Sequence, residues 1–274
     1  RMGDPIESVM QAASDFKVDA VYWNRDYEPA ALERDCTVQQ RLAQHGWTVR
    51  TFKDHVVFEA EEVRGQSGDP FQRYSAYRDR WWAKWRAAAP PLLGIPSFPP
   101  AGKASASDSR EWPSVADLGY ESVPMWIEPG EQAAHARLQW FLGGPVHQYV
   151  TGRNLPASDG TSKLSPHLRF GTISARTLVH GALNALAQGG AVSRADVFTW
   201  IDELVWREFF QQVLTAFPHV AQGPFKAKPG LPEPRPAGPE RDRLFAAWSQ
   251  GLTGYPIVDA GMRQLNQTGW MHNR

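Results

Sequence analysis

Apolar residues follow first a helical and then an extended spacing, and the two alternate through the beginning of the chain. The segment ESVMQAASDF predicts a helix whose apolar positions include Val9, Met10 and Phe16. The run VDAVYWN, rich in β-branched and aromatic residues, predicts a strand. LERDCTVQQRLAQHG predicts a second amphipathic helix ending at Gly46, and WTVRTF and HVVFE predict short extended segments. Alternating helices and strands are typical of βαβ units around a parallel sheet.

Beyond these segments the pattern becomes helical, after one change of composition. SAYRDRWWAKWRAA predicts a helix with a tryptophan cluster, and residues 90–130 turn to proline, serine, glycine and alanine, as linkers do. Helical spacing predominates afterwards, interrupted by a loop, KPGLPEPRPAGPE. We therefore predict the C-terminal part of a doubly wound, parallel-sheet α/β domain over residues 1–89, a linker over 90–130 and an all-α domain over 131–274.

One predicted helix combines burial with charge. WIDELVWREFF, residues 200–210, is apolar on nearly every side, as a fully buried helix is, yet it contains Glu203, Arg207 and Glu208. Charges are almost never fully buried unless paired or hydrogen-bonded, because desolvating a lone charge costs several kcal/mol. Glu203 and Arg207 are one turn apart and share a face with Trp206. They form either an ion pair within the helix, worth about 0.3–0.5 kcal/mol if exposed, or part of a site.

Composition narrows the class of protein. Over 274 residues, 29 Lys and Arg balance 29 Asp and Glu, which gives no global argument for nucleic-acid binding but is compatible with a local basic groove. The single cysteine, Cys36, excludes an internal disulfide framework and a cysteine-rich zinc site, and it favours a reducing, cytoplasmic location. No apolar run is long enough to span a bilayer. The 12 tryptophans suit core packing or stacking on flat π systems.

The stretch DGTSKLSPHLRFG carries a second set of polar groups. Ser165 and Pro166 predict the N-cap and the first position of a helix. The preceding residues 160–163, Gly-Thr-Ser-Lys, combine hydroxyls, main-chain N–H groups and one cation. Such a set is either an anion site at a helix start or a polar turn that caps the helix.

The last stretch, GLTGYPIVDAGMRQLNQTGWMHNR, begins with a Gly-Tyr-Pro signal for entry into a helix. The apolar stripe of that helix, which predicts core packing, consists of Ile257, Val258, Met262 and Leu265. His272 is either a metal ligand or base, or a hydrogen-bonded structural histidine. The second alternative is favoured because no further ligand stands at metal-binding spacing, and we predict no metal site.

Together these stretches resemble the photolyase/cryptochrome family, and within it the bacterial class I cyclobutane pyrimidine dimer photolyases. Four motifs match in order: VYWNRDYEP, TSKLSPHLRFG, ELVWREFFQQVL and GLTGYPIVDAGMRQLNQTGWMHNR. The resemblance covers essentially the whole chain. It implies a DNA-repair flavoprotein in which light excites reduced FAD, an electron passes to the flipped-out dimer, the ring splits and the electron returns.

The resemblance also implies where FAD would be held. The residues that would border it in the helical domain are Tyr149, Thr161, Ser162, Lys163, Leu164 and Ser165, with Arg207 approaching the phosphates. Hydroxyls, helix-start N–H groups and a guanidinium suit a diphosphate. Many members carry arginine where this chain has Lys163, and lysine lacks the planar fork for a bidentate contact.

The implied catalytic residues are Glu203, Trp206 and Asn273, which would also contact the lesion. Trp206 would stack on the flipped pyrimidine pair, and Glu203, protonated as a result of burial, would stabilise the radical anion with Asn273. Members acting on the (6-4) lesion tend to have histidine in place of Asn273, so this residue favours the cyclobutane dimer. The residues expected to face the DNA are Arg153 and Arg274, with Lys226 and Lys228 either extending a phosphate-binding rim or lying in a solvated loop.

Two further implied roles concern light harvesting and electron supply. Asp26 and Arg169 match contacts of an antenna chromophore, either a folate or a deazaflavin; Asp26 alone is equally compatible with a loop after a strand. Folate is disfavoured because Ala30 and Ala31 replace an Asn-Glu pair found in some folate-binding members. Trp248 matches the exposed end of the family's tryptophan electron chain.

Alternatives to repair remain open at the level of the sequence. A cryptochrome, a blue-light flavin photoreceptor without repair activity, is the main one. The missing earlier strands and the absence of a helix-stop signal after MHNR predict a chain truncated at both ends, which leaves open whether it binds FAD or is active alone. The lack of any oligomerisation signal favours a monomer.

Overall fold

The computed structural model describes residues 3–94, 97, 113–189, 193–226 and 235–274. The chain forms two compact units, Arg1–Pro91 with Gly130–Leu231, and Leu92–Pro129 with Pro232–Arg274. Part of the predicted linker, and Lys228, lie outside the described residues. The domain boundaries given above remain a prediction.

The first unit begins with alternating helices and strands. They are α1 (Pro5–Asp15), β1 (Ala20–Asn24), α2 (Pro29–Gln44) and β2 (Thr48–Phe52). The strands pair in parallel, with Ala20 opposite Thr48. Buried residues of both helices, such as Met10 and Leu42, pack with Trp23 and other apolar residues of one sheet face. The predicted βαβ arrangement is confirmed.

The predicted extended segment HVVFE is wrong, because residues 55–59 form a loop. Val57 and Phe58 are buried, as an apolar run predicts. Their main-chain N–H groups, however, donate to the carboxylate of Glu208 in a distant helix. A side chain therefore satisfies the hydrogen bonds that a neighbouring strand would otherwise supply.

The rest of the first unit is helical. Its helices are α3 (Tyr74–Ala87), α4 (Glu131–Gly143), α5 (Tyr149–Gly152), α6 (Ser165–Arg169), α7 (Ala175–Ala187) and α8 (Arg194–Ala216). The long α8 is central, since α3, α5 and α7 all pack against it. Trp81, Phe141, Ile201 and Val205 lie in one hydrophobic core at these contacts. The predicted change from an α/β to a helical architecture is confirmed.

Glu208 is the most deeply buried of the three charges within WIDELVWREFF, at 2% exposure. Its carboxylate accepts hydrogen bonds from Trp81 Nε1 at 2.7 Å, from Phe58 N at 3.3 Å and from Val57 N. Burial raises the pKa of Glu208 to about 7, although these hydrogen bonds act in the opposite direction. Glu208 thus joins α8 to α3 and to the 55–59 loop.

In the described part of the second unit, α9 (Pro239–Ser249) and α10 (Pro256–Thr268) pack against each other. The Gly-Tyr-Pro signal correctly predicted the entry into α10. Asp259 in the first turn accepts hydrogen bonds from Thr253 N at 2.7 Å, Thr253 Oγ1 at 2.6 Å and Gly254 N at 3.0 Å. Hydrogen bonding from Thr253 holds the pKa of Asp259 below its usual value. Gly269 ends the helix in the left-handed conformation, φ +69°.

The predicted core stripe of α10 is only partly correct. Met262 is buried, whereas Ile257 is 70% exposed and Val258 is also exposed. Periodicity identifies the apolar face of a helix but does not show how much of that face a neighbouring element covers. In the first turn of α10, Ile257 and Val258 therefore stay exposed, although Asp259 is buried.

Candidate functional site

The candidate site in the first unit is organised by the contact between α5 and α8. Ser193 caps α8, and the buried Asp196 in its first turn accepts a hydrogen bond from Val150 N of α5 at 2.8 Å. This bond joins α8 to α5, next to the two predicted site residues Tyr149 and Arg153. Tyr149 is buried, and the guanidinium of Arg153 lies 5.9 Å from its ring centroid.

Glu203 of α8 pairs with Arg153 and makes no ion pair with Arg207 among the described residues. Arg153 Nη1 lies 2.5 Å from Glu203 Oε1, and the two side chains are 26% and 34% exposed. The ion pair within the helix, one of the two sequence-based alternatives, is therefore wrong. The deep burial expected to protonate Glu203 is also not observed. Two residues 50 positions apart in sequence meet here because α5 docks on α8.

Trp206 is half-buried and stacks on Tyr74, the first residue of α3. The ring centroids are 3.5 Å apart and the planes are inclined by 7°. Tyr74 is held in turn by a hydrogen bond from its hydroxyl to the main-chain oxygen of Asp202, at 2.9 Å, and burial raises the pKa of Tyr74. Phe210, one turn further along α8 and exposed, continues the aromatic surface at 5.6 Å from Trp206. Sequence analysis missed Tyr74, because no local pattern links α3 to α8.

Arg207 points to a different part of the first unit. Its Nη1 donates to the carbonyl oxygen of His55 at 2.6 Å. His55 lines a cavity of about 270 Å³ that also contains Asp26 and Arg169. Burial, followed by the nearby charge of Arg207, lowers the pKa of His55. The predicted contact of Arg207 with FAD phosphates stays a prediction, and its observed partner is a main-chain carbonyl beside this cavity.

The structure brings the two predicted antenna residues together in that cavity. Asp26 Oδ1 accepts a hydrogen bond from Tyr27 N at 2.7 Å. Arg169, at the end of α6, pairs with Glu28 at 2.6 Å. The cavity walls combine charged groups with the apolar Leu168 and other side chains. This lining suits a ligand that has both polar and apolar parts.

Of the predicted cofactor residues 161–165, the first four lie in a loop that passes close to α5, and Ser165 begins α6. A Cβ atom on Gly160 would lie 2.7 Å from the carbonyl oxygen of Gly152, so this approach requires glycine. Lys163 adopts φ +53°, and its ammonium pairs with Asp159 at 2.8 Å. Thr161 Oγ1 is buried and has no hydrogen-bond partner among the described residues.

The end of this loop differs from the prediction. The helix α6 includes Ser165, the N-cap position belongs to Leu164, and no side chain caps the helix. Leu164 is buried in the main hydrophobic core, whereas Ser165 is exposed. The Ser-Pro signal therefore located the helix start to within one residue, but capping by Ser165 is wrong.

Sequence analysis also missed Arg137 of α4, which contacts this loop from outside. Its guanidinium donates to Asp159 and to two main-chain oxygens of the loop, those of Thr161 and Ser162. The only available signal was an arginine in an otherwise ordinary amphipathic helix. Such a residue is indistinguishable from a solvated one until the fold is known.

The remaining predicted residues lie in the second unit. Asn273 and Arg274 are exposed, and Trp248 of α9 is 46% exposed. His272 is buried, with its Nδ1 accepting from Arg274 N at 3.0 Å, as the structural alternative predicts. Within the described part of the chain, no group of three or more His, Cys, Asp or Glu residues is placed to hold a metal ion.

None of the helices in the described ranges has the length and hydropathy that crossing a membrane requires.

Comparisons with known proteins relate this chain to a family. The family model described as DNA photolyase matches residues 1–96, and the one described as FAD binding domain of DNA photolyase matches residues 200–274. A deoxyribodipyrimidine photo-lyase of Synechococcus is 38% identical, over 99% of this chain and 56% of its own length. One of Halobacterium salinarum is 36% identical, over 100% of this chain and 56% of its own length.

Solved structures agree with these matches. A bacterial class III photolyase from Agrobacterium tumefaciens superposes with a TM-score of 0.79 at 30% identity, over 99% of this chain and 55% of that one. A Synechocystis cryptochrome shares the fold, with a TM-score of 0.77 at 22% identity, over 98% of this chain and 56% of its own. This chain belongs to the photolyase/cryptochrome family, as the four motifs predicted. It spans about half the length of the curated relatives it matches.

Proposed function

We propose that this protein binds FAD and uses light to split cyclobutane pyrimidine dimers in DNA. The observation that carries the proposal is the arrangement on α8 of Glu203, held by Arg153, beside Trp206, supported by Tyr74. A charged pair next to an ordered aromatic surface suits the polar edges and flat faces of a flipped-out pyrimidine dimer. The similarity of the chain to deoxyribodipyrimidine photo-lyases supports the same function.

The aromatic surface suits an extruded lesion energetically. Enzymes of this kind extrude the target base at a cost of a few kcal/mol, which is least where damage has already weakened pairing. Stacking on an aromatic side chain returns about 1–3 kcal/mol per base. Tyr74 covers one face of Trp206, so a base stacks on the part of the indole that Tyr74 leaves uncovered.

Glu203 and Arg153 would form hydrogen bonds with the polar edges of the bases. Glu203 accepts a hydrogen bond from a pyrimidine N–H, and Arg153 donates to a carbonyl or phosphate oxygen. This role does not require the protonated Glu203 that the sequence led us to expect. Because each side chain holds the other in place, the charges are already oriented before the lesion arrives, as electrostatic stabilisation of a developing charge requires.

The loop at residues 159–164 and the start of α6 suit an anionic cofactor. Thr161 Oγ1 is a buried hydroxyl without a partner, and Gly160 allows the main chain to approach without a side chain in the way. Thr161, Ser162 and Lys163 would hold the phosphates of FAD, with Tyr149 nearby and Leu164 contributing its main chain. When bound, reduced FAD supplies the electron that light drives into the dimer. The protein's own residues bind the lesion, orient it and keep water away from it.

The antenna and the DNA surface are finer parts of the same proposal. The cavity with Asp26 and Arg169 would take the antenna chromophore, with folate and deazaflavin both open. Contacts of Asn273 and Arg274 with the lesion or the DNA, and electron supply through Trp248, remain predictions. Assignment to class I, a monomeric state and a cytoplasmic location remain predictions.

A repair assay with a dark control tests the proposed function. Purified protein supplied with FAD and reductant is mixed with an oligonucleotide that contains one cyclobutane thymine dimer. We expect dimer loss under blue light and none in the dark. Binding of flavin without dimer loss under light would favour the cryptochrome alternative, whose fold this chain shares.

A further inference from the structure

The contacts of Arg137 single out this residue outside the elements assigned to FAD and the lesion. Its Nη1 and Nη2 donate to the two carboxylate oxygens of Asp159, at 3.2 and 2.9 Å. Nε donates to Ser162 O at 2.8 Å, and Nη2 also donates to Thr161 O at 3.1 Å. One face of the guanidinium lies over the ring of Trp140, with Cζ 3.7 Å from the ring centroid. The planar guanidinium therefore directs most of its N–H donors at one loop.

These contacts determine which way the loop peptides face. In a trans peptide the C=O and N–H groups point in opposite directions. Since the carbonyls of Thr161 and Ser162 point at Arg137, the N–H groups of Ser162 and Lys163 point away from it. Successive N–H groups form an anion-binding concavity when a right-handed residue is followed by a left-handed one, and Lys163, with φ +53°, supplies the left-handed residue.

Asp159 strengthens the arrangement by linking two cations. It pairs with Arg137 at 2.9 Å and with Lys163 at 2.8 Å. Burial works against ionisation, but the hydrogen bonds from Arg137 and Lys163 hold the pKa of Asp159 below its usual value. The carboxylate therefore stays charged at neutral pH and keeps the start and the end of the loop together.

We propose that Arg137 is a positioning residue for FAD, which orients the main-chain N–H groups of Ser162 and Lys163 toward the cofactor phosphates from outside the site. This inference rests on the proposed function, because it assigns the 159–164 loop to FAD. Arg137 itself does not touch the cofactor. A lysine at this position keeps the charge but has one nitrogen in place of the three, held in a planar fork, that Arg137 uses on this loop.

Equilibrium FAD binding and the melting temperature of the FAD-free protein test this role together. Arg137→Lys and Arg137→Gln are compared with the wild type, and Arg41→Gln is the matched control, because Arg41 forms an ion pair with Glu7 elsewhere in the same unit. We expect the FAD dissociation constant to rise about tenfold or more in both Arg137 variants and to stay within twofold in the control. The melting temperature should change as little in the Arg137 variants as in the control.

Asp159→Asn provides a second, independent route to the same answer. It removes the carboxylate partner while leaving Arg137 in place, and we expect a similar loss of FAD affinity. Arg137 variants that bind FAD within twofold of the wild type would overturn the inference. So would a loss of FAD affinity accompanied by a large fall in the melting temperature of the Arg137 and Asp159 variants. A wild-type protein that binds no FAD would instead contradict the proposed function.

Discussion

Replacement of Trp206 by leucine is expected to lower the affinity for a dimer-containing duplex by about 10- to 100-fold, while the affinity for the undamaged duplex stays nearly constant. Stacking of an extruded base contributes about 1–3 kcal/mol, and about 1.4 kcal/mol corresponds to a factor of ten. Leucine still packs against Tyr74 but offers no π surface. The loss should therefore be confined to DNA in which a base leaves the helix.

Fluorescence anisotropy in the dark measures both affinities without repair taking place. Trp206→Phe, which keeps a smaller aromatic ring, should retain most of the discrimination. Trp23→Leu serves as the control, because Trp23 packs in the separate cluster with Met10 and Leu42. If Trp206→Leu weakened binding to both duplexes equally, Trp206 would have a structural role and the assignment of its face to the lesion would be wrong.

Replacement of Glu208 by alanine is expected to lower the free energy of unfolding by about 3–5 kcal/mol. Three buried donors, Val57 N, Phe58 N and Trp81 Nε1, lose their acceptor, and each unsatisfied group costs about 1–3 kcal/mol. Urea denaturation at pH 6, followed by circular dichroism, gives the difference. Glu33→Ala, an exposed glutamate on α2, should change stability by less than about 0.5 kcal/mol.

Glu208 also makes stability depend on pH. Its folded-state pKa of about 7 is above the ordinary value of 4.5, so the folded protein holds the proton more tightly than the unfolded chain. The resulting stabilisation is complete below about pH 4.5 and is lost as the pH rises through about 7. The wild type should therefore lose stability between pH 5 and pH 8 relative to Glu208→Gln. Parallel pH profiles for the two proteins would show that Glu208 is ionised throughout this range.

The charges in WIDELVWREFF show how far local sequence can predict a site. The sequence correctly indicates that Glu203, Arg207 and Glu208 need partners, because a buried helix does not tolerate lone charges. It does not identify those partners, which come from α5, from the 55–59 loop and from α3. Only the packing of these elements on α8 decides that Glu203 pairs with Arg153 and that Arg207 bonds to His55.

The fold was predicted more fully than the site, for a physical reason. Helices and parallel strands leave a periodic signal that depends on neighbours within a few residues. The 55–59 segment is an exception, because its apolar run is buried without forming a strand. Tyr74 and Arg137 act through contacts with residues far away in sequence. No spacing within α3 or α4 could have assigned them to a site.

Titration of the purified 274-residue chain with FAD tests most directly whether the 159–164 loop binds the cofactor. Two single variants, Gly160→Ala and Gly143→Ala, are titrated in parallel. A methyl group on Gly160 would meet the carbonyl of Gly152, whereas one on Gly143 has no neighbour within 4 Å. We expect saturable binding of one flavin per chain, strongly weakened by Gly160→Ala and unchanged by Gly143→Ala. A folded chain that binds no flavin, or equal binding by all three proteins, would contradict the assignment of the 159–164 loop to the cofactor.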